Sequence, residues 1–227
     1  MLLVPELVLC KIIDGCLIHL KNDYNTNHIA GTDDQSLLYK MCNGLVWTGY
    51  NYYREAVDLF TRDHTHKRKL EVSMFFNAQR ASIPTIHISL PGETGGVGDG
   101  LGIDEGYQPT EFINTDDEDS FRAQYTRGFN SNYNILITSD NTMEVLLIYA
   151  VLRAMLISVF DTIELDGLRK PTIGGNDLRI EGSIVPPNVF IRAITLNFIY
   201  EVDVPVLNKG QIIQDIYEQN EPEPIVV

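Results

Sequence analysis

DNTMEVLLIYAVLRAMLISVFDTIELDG, residues 140–167, is the longest helical pattern in the chain, and the candidate strands fall on either side of it. Asp140 or Asn141 is placed to cap its start, Glu144 stands three residues after Asn141 as a capping box requires, and Gly167 supplies a stop. Between these ends Val145, Ile148, Tyr149, Leu152, Met155, Leu156, Val159, Phe160 and Ile163 recur at helical spacing. Leu146, Leu147 and Val151 add apolar surface outside that stripe, so the helix is apolar around most of its circumference. Glu144, Arg153 and Asp161 interrupt the continuous apolar length that a membrane span needs. The pattern therefore predicts one rod of about 36 Å, covered by a sheet on one side and by a neighbouring subunit on the other. Arg153 is the one charge inside it that calls for a partner, either across a subunit interface or within the chain.

The rest of the composition fits a globular protein: 227 residues, 44% hydrophobic, with no fibrous or disordered bias. The apolar N-terminus lacks a basic first segment and a small-residue cleavage site, and Glu6, Lys11 and Asp14 interrupt it, so it reads as an amphipathic helix. Cys10, Cys16 and Cys42 form neither a disulfide framework nor a CxxC pair, which fits a reducing compartment. A formal charge of −14 argues against a protein that holds nucleic acid by its phosphates.

Residues 1–62 read as helical. Leu7, Val8, Ile12, Ile13, Cys16, Leu17 and Leu20 stripe a first helix that Pro5 begins and the Asn-rich run 22–27 ends. One or two more helices follow over 33–62, and Trp47, Tyr50, Tyr52 and Tyr53 are expected to pack between helices and sheet, with a partner-binding surface as the alternative. After a basic hinge at 62–69 come strands at 70–77 and 85–90, the second closed by Pro91. Residues 91–120 read as an extended acidic arm: 92–106 carries seven glycines, and 81–121 carries nine acidic residues with no Lys or Arg. Segments of this length in compact domains are functional or disordered. A strand over 121–139 leads into the long helix. A turn at 174–177 and a strand at 178–185 precede Pro186 and Pro187. The longest strand pattern, 188–204, puts Phe190, Ile194, Leu196, Phe198, Tyr200, Val202 and Val204 on one face, with Arg192 as the exception. Pro205 ends it, 211–218 reads as a short helix, and 218–227 as a loose acidic tail after a single domain of 1–217.

Motifs of chemistry are scarce. Gly96, Gly98, Gly100 and Gly102 alternate after a strand, but a dinucleotide loop needs a helix opening at the glycines, and IDEGYQP with its acids follows instead. His64 and His66 would point the same way on a strand, as metal ligands must, yet no third ligand has a suitable spacing and Lys67, Arg68 and Lys69 disfavour a cation. The run 116–119 lacks the glycine and ligand spacing of an EF-hand loop. His87 reads as a hydrogen-bonded sheet residue, since no Ser or Cys elbow accompanies it. No catalytic residue, cofactor or metal is expected. A metal-dependent hydrolase using His64 and His66 is the distant alternative.

The order of features has a recognisable likeness. GYNYYREAVDLFTRD leads to KLEVSMFFNAQRASIPTIHISLPGE and the glycine-rich arm, then to NILITSDNTMEVLLIYAVLRAML and to GGNDLRIEG running into PPNVFIRAITLNFIYEV. Over 50–206 the chain resembles the neck and tail-terminator (tail-completion) proteins of tailed bacteriophages. That resemblance implies an α+β fold with a mixed or largely antiparallel sheet on one long helix, an N-terminal helical region and a long glycine-rich acidic arm. It further implies a ring, hexameric in such families, that caps the tail tube and joins it to the head. Its partners would be a second copy, the tail tube protein, a head-completion or connector protein and, where one exists, a sheath protein. DNA would pass through an acidic channel without specific binding. The expected location is the virion neck, after assembly in the host cytoplasm. A ring subunit of another head–tail connector or of a contractile injection device is the nearest alternative. The expected interface residues are Glu93, Gly96, Gly98, Gly100, Gly102, Asp104 and Glu105 in the arm, with Arg153 on the helix.

Overall fold

A computed structural model describes residues 4–62, 65–74, 84–95, 109–114, 121–177 and 189–205. The fold is α+β, as expected. Helix α1 spans Pro5–Ala30, α2 Leu37–Cys42, α3 Tyr52–Thr61, α4 Thr142–Ser158 and α5 Phe160–Leu165. The strands are β1 Val46–Trp47, β2 Tyr50–Asn51, β3 Glu71–Ser73, β4 Thr85–Gly95, β5 Pro109–Asn114, β6 Phe121–Ser139, β7 Arg169–Asp177 and β8 Phe190–Pro205.

Pro5 at the first helical position and Glu6 in the first turn start α1 as predicted. Its end lies beyond the Asn-rich run. Asn27 donates to the Asp23 carbonyl at 2.8 Å, the Thr32 amide reaches the Asn27 carbonyl and the Gly31 amide that of His28. With Gly31 at φ 70° this is a Schellman stop, a stronger terminator than the polar run before it. Leu9, Ile13, Cys16 and Leu20 turn one stripe of the helix into the core. Ser36 caps α2 by accepting from the Tyr39 amide, and Asn51 caps α3 by accepting from that of Arg54. Between them β1 and β2 make a two-residue hairpin in which Thr48 (φ 45°) and Gly49 (φ 85°) both take positive φ, the signature of a type I′ turn.

The large sheet has six strands in the order β3-β4-β6-β8-β7, with β5 also paired to β6. Only β3 and β4 are parallel. β6 is the central strand: β4 and then β5 occupy one of its edges, and β8 runs along the other from Gln124↔Pro205 to Ser139↔Phe190. Alternation puts Ile86, Ile88, Tyr133, Ile135, Ile137, Ile194, Leu196, Phe198 and Tyr200 on the helix-covered face, all buried.

Three expectations are corrected. Pro91 does not close its strand: β4 continues to Gly95, and a register shift between Ser89 and Gly92 carries the proline, which has no N–H for the ladder, past β6. Residues 174–177 are not a turn but the end of β7, paired with β8 from Gly174↔Thr195 to Asp177↔Arg192. The rod of 140–167 is two helices. The chain turns at Val159 (φ −111°, ψ 18°), whose amide is shared by the Met155 and Leu156 carbonyls, while Ser158 Oγ bonds back to the Ala154 carbonyl. Such back-bonding beside a β-branched residue loosens a helical turn. α5 then leans against β7 and buries Ile163, with Leu168 following it into the core. α4 alone is thus about 25 Å long, whereas β6, with its 19 residues, runs about 60 Å. The strands expected at 178–185 and the helix at 211–218 lie outside the described residues.

Candidate interaction surfaces

Of the expected interface residues, Glu93 and Arg153 are described, and Gly96, Gly98, Gly100, Gly102, Asp104 and Glu105 lie outside the described residues. Glu93 belongs to β4, not to an arm. Its Oε1 accepts two hydroxyl hydrogen bonds, from Ser131 on β6 and Tyr200 on β8, each at 2.7 Å, so one carboxylate ties three adjacent strands together. The Tyr200 ring stacks on Phe129 at 5.7 Å, and Tyr133 stacks on Phe198 at 5.3 Å. The Tyr133 hydroxyl donates to Glu6 at 2.8 Å, which fixes the start of α1 on the sheet. Burial, reinforced by these hydrogen bonds to carboxylates, pushes both phenols well above the usual tyrosine range. They are fixed donors at neutral pH.

Arg153 is exposed, and no ion pair joins it to another described residue. Of the two partners expected for Arg153, one within the chain is absent among the described residues: the apolar stripe of α4 leaves a narrow outward strip, and Arg153 lies on it, open to a second copy. The buried charge of α4 is Glu144, whose side chain is 9% exposed. It does not complete a capping box. Asn141 caps the helix by accepting from the Met143 amide, and the Asn141 amide itself goes to Ser139 Oγ. Glu144 accepts from Arg68 at 3.0 Å and from Ser139 Oγ, with Arg62 at 3.8 Å. Arg68 also grips Asp140 with two hydrogen bonds of 2.7 and 2.8 Å, and this holds the Asp140 carboxyl below the usual carboxylate range. The segment read as a basic hinge is therefore pinned to the start of α4. Arg62 donates to the Arg68 carbonyl at 2.7 Å, and Lys21 to that of Arg62 at 3.2 Å. His66 Nδ1 accepts the Arg68 amide at 3.2 Å, and His64 lies outside the described residues. No cluster of three or more metal-ligating side chains occurs among the described residues. Burial raises all three thiols, Cys42 to about 11, which makes them poor nucleophiles at neutral pH.

Two surface features depart from the packing expected first. Trp47, expected to pack inside, is 66% exposed at the tip of the β1–β2 hairpin, flanked by Val46 at 61% and Leu45 at 51%. The alternation of a two-residue strand is too short to mark which side is inward, and only the Thr48-Gly49 turn marks the hairpin. Between α1 and the α4–α5 pair lies a groove of about 340 Å³, walled by Ile12, Cys16, Met155 and Val159 and lined also by Lys11, His19 and Asp166. The bend at Val159 makes one wall of it, which is why a straight-rod reading could not foresee it.

The chain matches no protein-family model and no curated protein. Among the described residues, no helix is long and apolar enough to cross a membrane.

Proposed function

We propose that this chain is a virion structural protein that forms a ring, hexameric by the family likeness, at the head–tail neck of a tailed bacteriophage, ending the tail tube and joining it to the head. The observation that carries the reading is the mismatch of length between sheet and helices. β6 and β8 run on past Tyr133 and Phe198, where Glu6 fixes the start of α1, and their paired continuation is longer than α4 can back. A paired ribbon longer than the helix behind it supports a subunit that reaches a neighbour in a ring. The −14 charge supports a channel that DNA crosses without adhering. The family likeness stated above supplies the place of action.

Mass measurement in solution, with negative-stain imaging of the purified chain alone and with tail tubes, tests the reading. Rings of about six copies that cap the tubes are expected. A chain that stays monomeric and leaves the tubes open removes it.

A further inference from the structure

We infer that Asn43 is a site of self-modification: in the folded chain the Gly44 backbone nitrogen displaces ammonia from the Asn43 side chain, and the product remodels the base of the Trp47 hairpin. The inference goes beyond the ring reading and does not depend on it.

The reaction needs an asparagine carboxamide, a free backbone nitrogen on the next residue, and no side chain in the way. Asn43-Gly44 is the only Asn-Gly pair in the chain. It forms the centre of a type II turn that joins α2 to β1. Asn43 stands at φ −65° and ψ 138°, Gly44 at φ 79°, and the Leu45 amide donates to the Cys42 carbonyl at 3.3 Å. Both central residues are exposed. Among the described residues nothing accepts from the Gly44 amide or pairs with the Asn43 carboxamide, and a β-carbon on Gly44 would meet nothing within 4 Å. Glycine takes either sign of φ at little cost, so the central peptide is free to flip between type II and type I arrangements. That flip swings the Gly44 nitrogen past the Asn43 side chain, which is the approach that ring closure requires.

Comparable pairs elsewhere are tied down. In Asp166-Gly167 the Gly167 amide donates to the Glu164 carbonyl at 3.0 Å. Asp14-Gly15 lies in the middle of α1, where helical bonding holds the Gly15 amide and fixes the backbone of Asp14. Asn51 and Asn141 use their carboxamide oxygens to cap α3 and α4, and each is followed by a residue with a side chain.

The Gly44 nitrogen gives up its proton and bonds to Asn43 Cγ, and Nδ2 leaves as ammonia, which closes a succinimide ring. Water then opens that ring. Attack at Cγ breaks the new bond and leaves aspartate. Attack at the main-chain carbonyl breaks the original peptide bond and leaves isoaspartate, with the chain now running through Cγ. Water enters, ammonia leaves, and nothing is oxidised or reduced. Either product puts a carboxylate at the C-terminal end of α2, where the helix dipole disfavours it. The isoaspartyl link also inserts a methylene into the main chain just ahead of Leu45, whose carbonyl accepts from the Tyr52 amide at 3.1 Å and closes the hairpin at its base.

The full-length chain, incubated at mildly alkaline pH and sampled over days, tests this. Trypsin releases the peptide that follows Lys40 and ends at Arg54. That peptide is expected to gain the mass difference between OH and NH2, located by fragmentation on Asn43 and not on Asn51, and to become a substrate for an isoaspartyl methyltransferase. The folded chain is expected to convert within about tenfold of the rate of the free peptide, since a fold opposing the flip by more than about 1.4 kcal/mol would slow it further. Asn43→Gln is expected to abolish the change, and Gly44→Ala to slow it at least about tenfold by obstructing the approach and disfavouring the turn. Trp47 is the only tryptophan in the chain, and its fluorescence anisotropy is expected to fall in step with isoaspartate. Conversion in the free peptide but not in the folded chain, or conversion spread evenly over the other asparagines, overturns the site. Conversion at Asn43 with the anisotropy of Trp47 unchanged overturns the remodelling of the hairpin. Rings or monomers in the same samples bear on the ring reading alone.

Discussion

The ring of Tyr149 on α4 lies across Gly175 on β7 so closely that a β-carbon on the glycine would stand 2.8 Å from its Cζ and closer still to its hydroxyl oxygen. The same ring carries the guanidinium of Arg192 at 4.5 Å from its centroid, and Arg192 is paired with Asp177 at 2.7 Å. A glycine is thus what allows helix and edge strand to meet with a cation stacked between them and solvent. Gly175→Ala should cost about 1–3 kcal/mol by forcing the ring aside. Tyr149→Ala should remove most of that penalty in the double variant, as a denaturant-unfolding cycle would show.

Arg68 holds the start of α4 through Glu144 and Asp140, so its loss leaves a buried carboxylate with the Ser139 hydroxyl and, as its cation, the more distant Arg62. Arg68→Ala should destabilise the chain by about 2–4 kcal/mol at neutral pH. The Asp140 carboxyl is depressed by the Arg68 hydrogen bond, so its contribution is present above the unfolded carboxylate value of about 4 and is lost as pH falls through the lower folded value. The stability gap between the wild type and Asp140→Asn should accordingly narrow on going from neutral pH to well below pH about 4. Urea midpoints at the two pH values measure it.

Tyr133 and Tyr200 are raised, so the sign is reversed. The stability they contribute is complete below the unfolded phenol value of about 10 and is lost as pH climbs through their folded values. Tyrosinate absorbance of the folded chain should show a class among its eleven tyrosines that ionises only with unfolding. Tyr200→Phe should shrink that class and cost about 1 kcal/mol through the bond lost to Glu93.

Thr48 occupies a left-handed backbone position that asparagine takes far more readily. Thr48→Asn should raise stability by about 0.5–1 kcal/mol while leaving the Trp47 emission of the monomer unchanged. A thermal melt with tryptophan fluorescence as the probe covers both readouts. A loss of stability would count against the hairpin.

The sheet was largely legible because its long strands alternate. Phe198 and Tyr200 against Asn197 and Glu201 specify which face of β8 is inward, and Ile135 and Ile137 do the same for β6. The helices were legible where caps coincide with apolar spacing, as at Pro5 and Asn141. What escaped were features decided by a single backbone choice. Val159 could continue a helix or end one, and only its contact with the turn that follows decides. Pro91 is a strand breaker unless a bulge lifts it out of the ladder. Gly174 and Gly175 look like a turn because the side chain that requires the absence of a β-carbon, Tyr149, is 26 residues away. Surface position is hardest of all: Trp47 inward and Trp47 outward have the same local sequence, and Arg153 looked buried only because its neighbours are.

The central place of β6 also sets an order in time. Its last residue, Ser139, leaves the ribosome 66 residues before Pro205 completes β8, an interval of about 3–13 s at about 5–20 residues per second. Throughout that interval one whole edge of β6 has donors and acceptors but no partner, in a chain whose other pairings also join residues far apart in sequence. Nascent copies on neighbouring ribosomes are then each other's nearest template. Crowded synthesis should therefore favour tangled β pairing over correct folding, and slower or cooler expression should recover yield without any change to the finished protein.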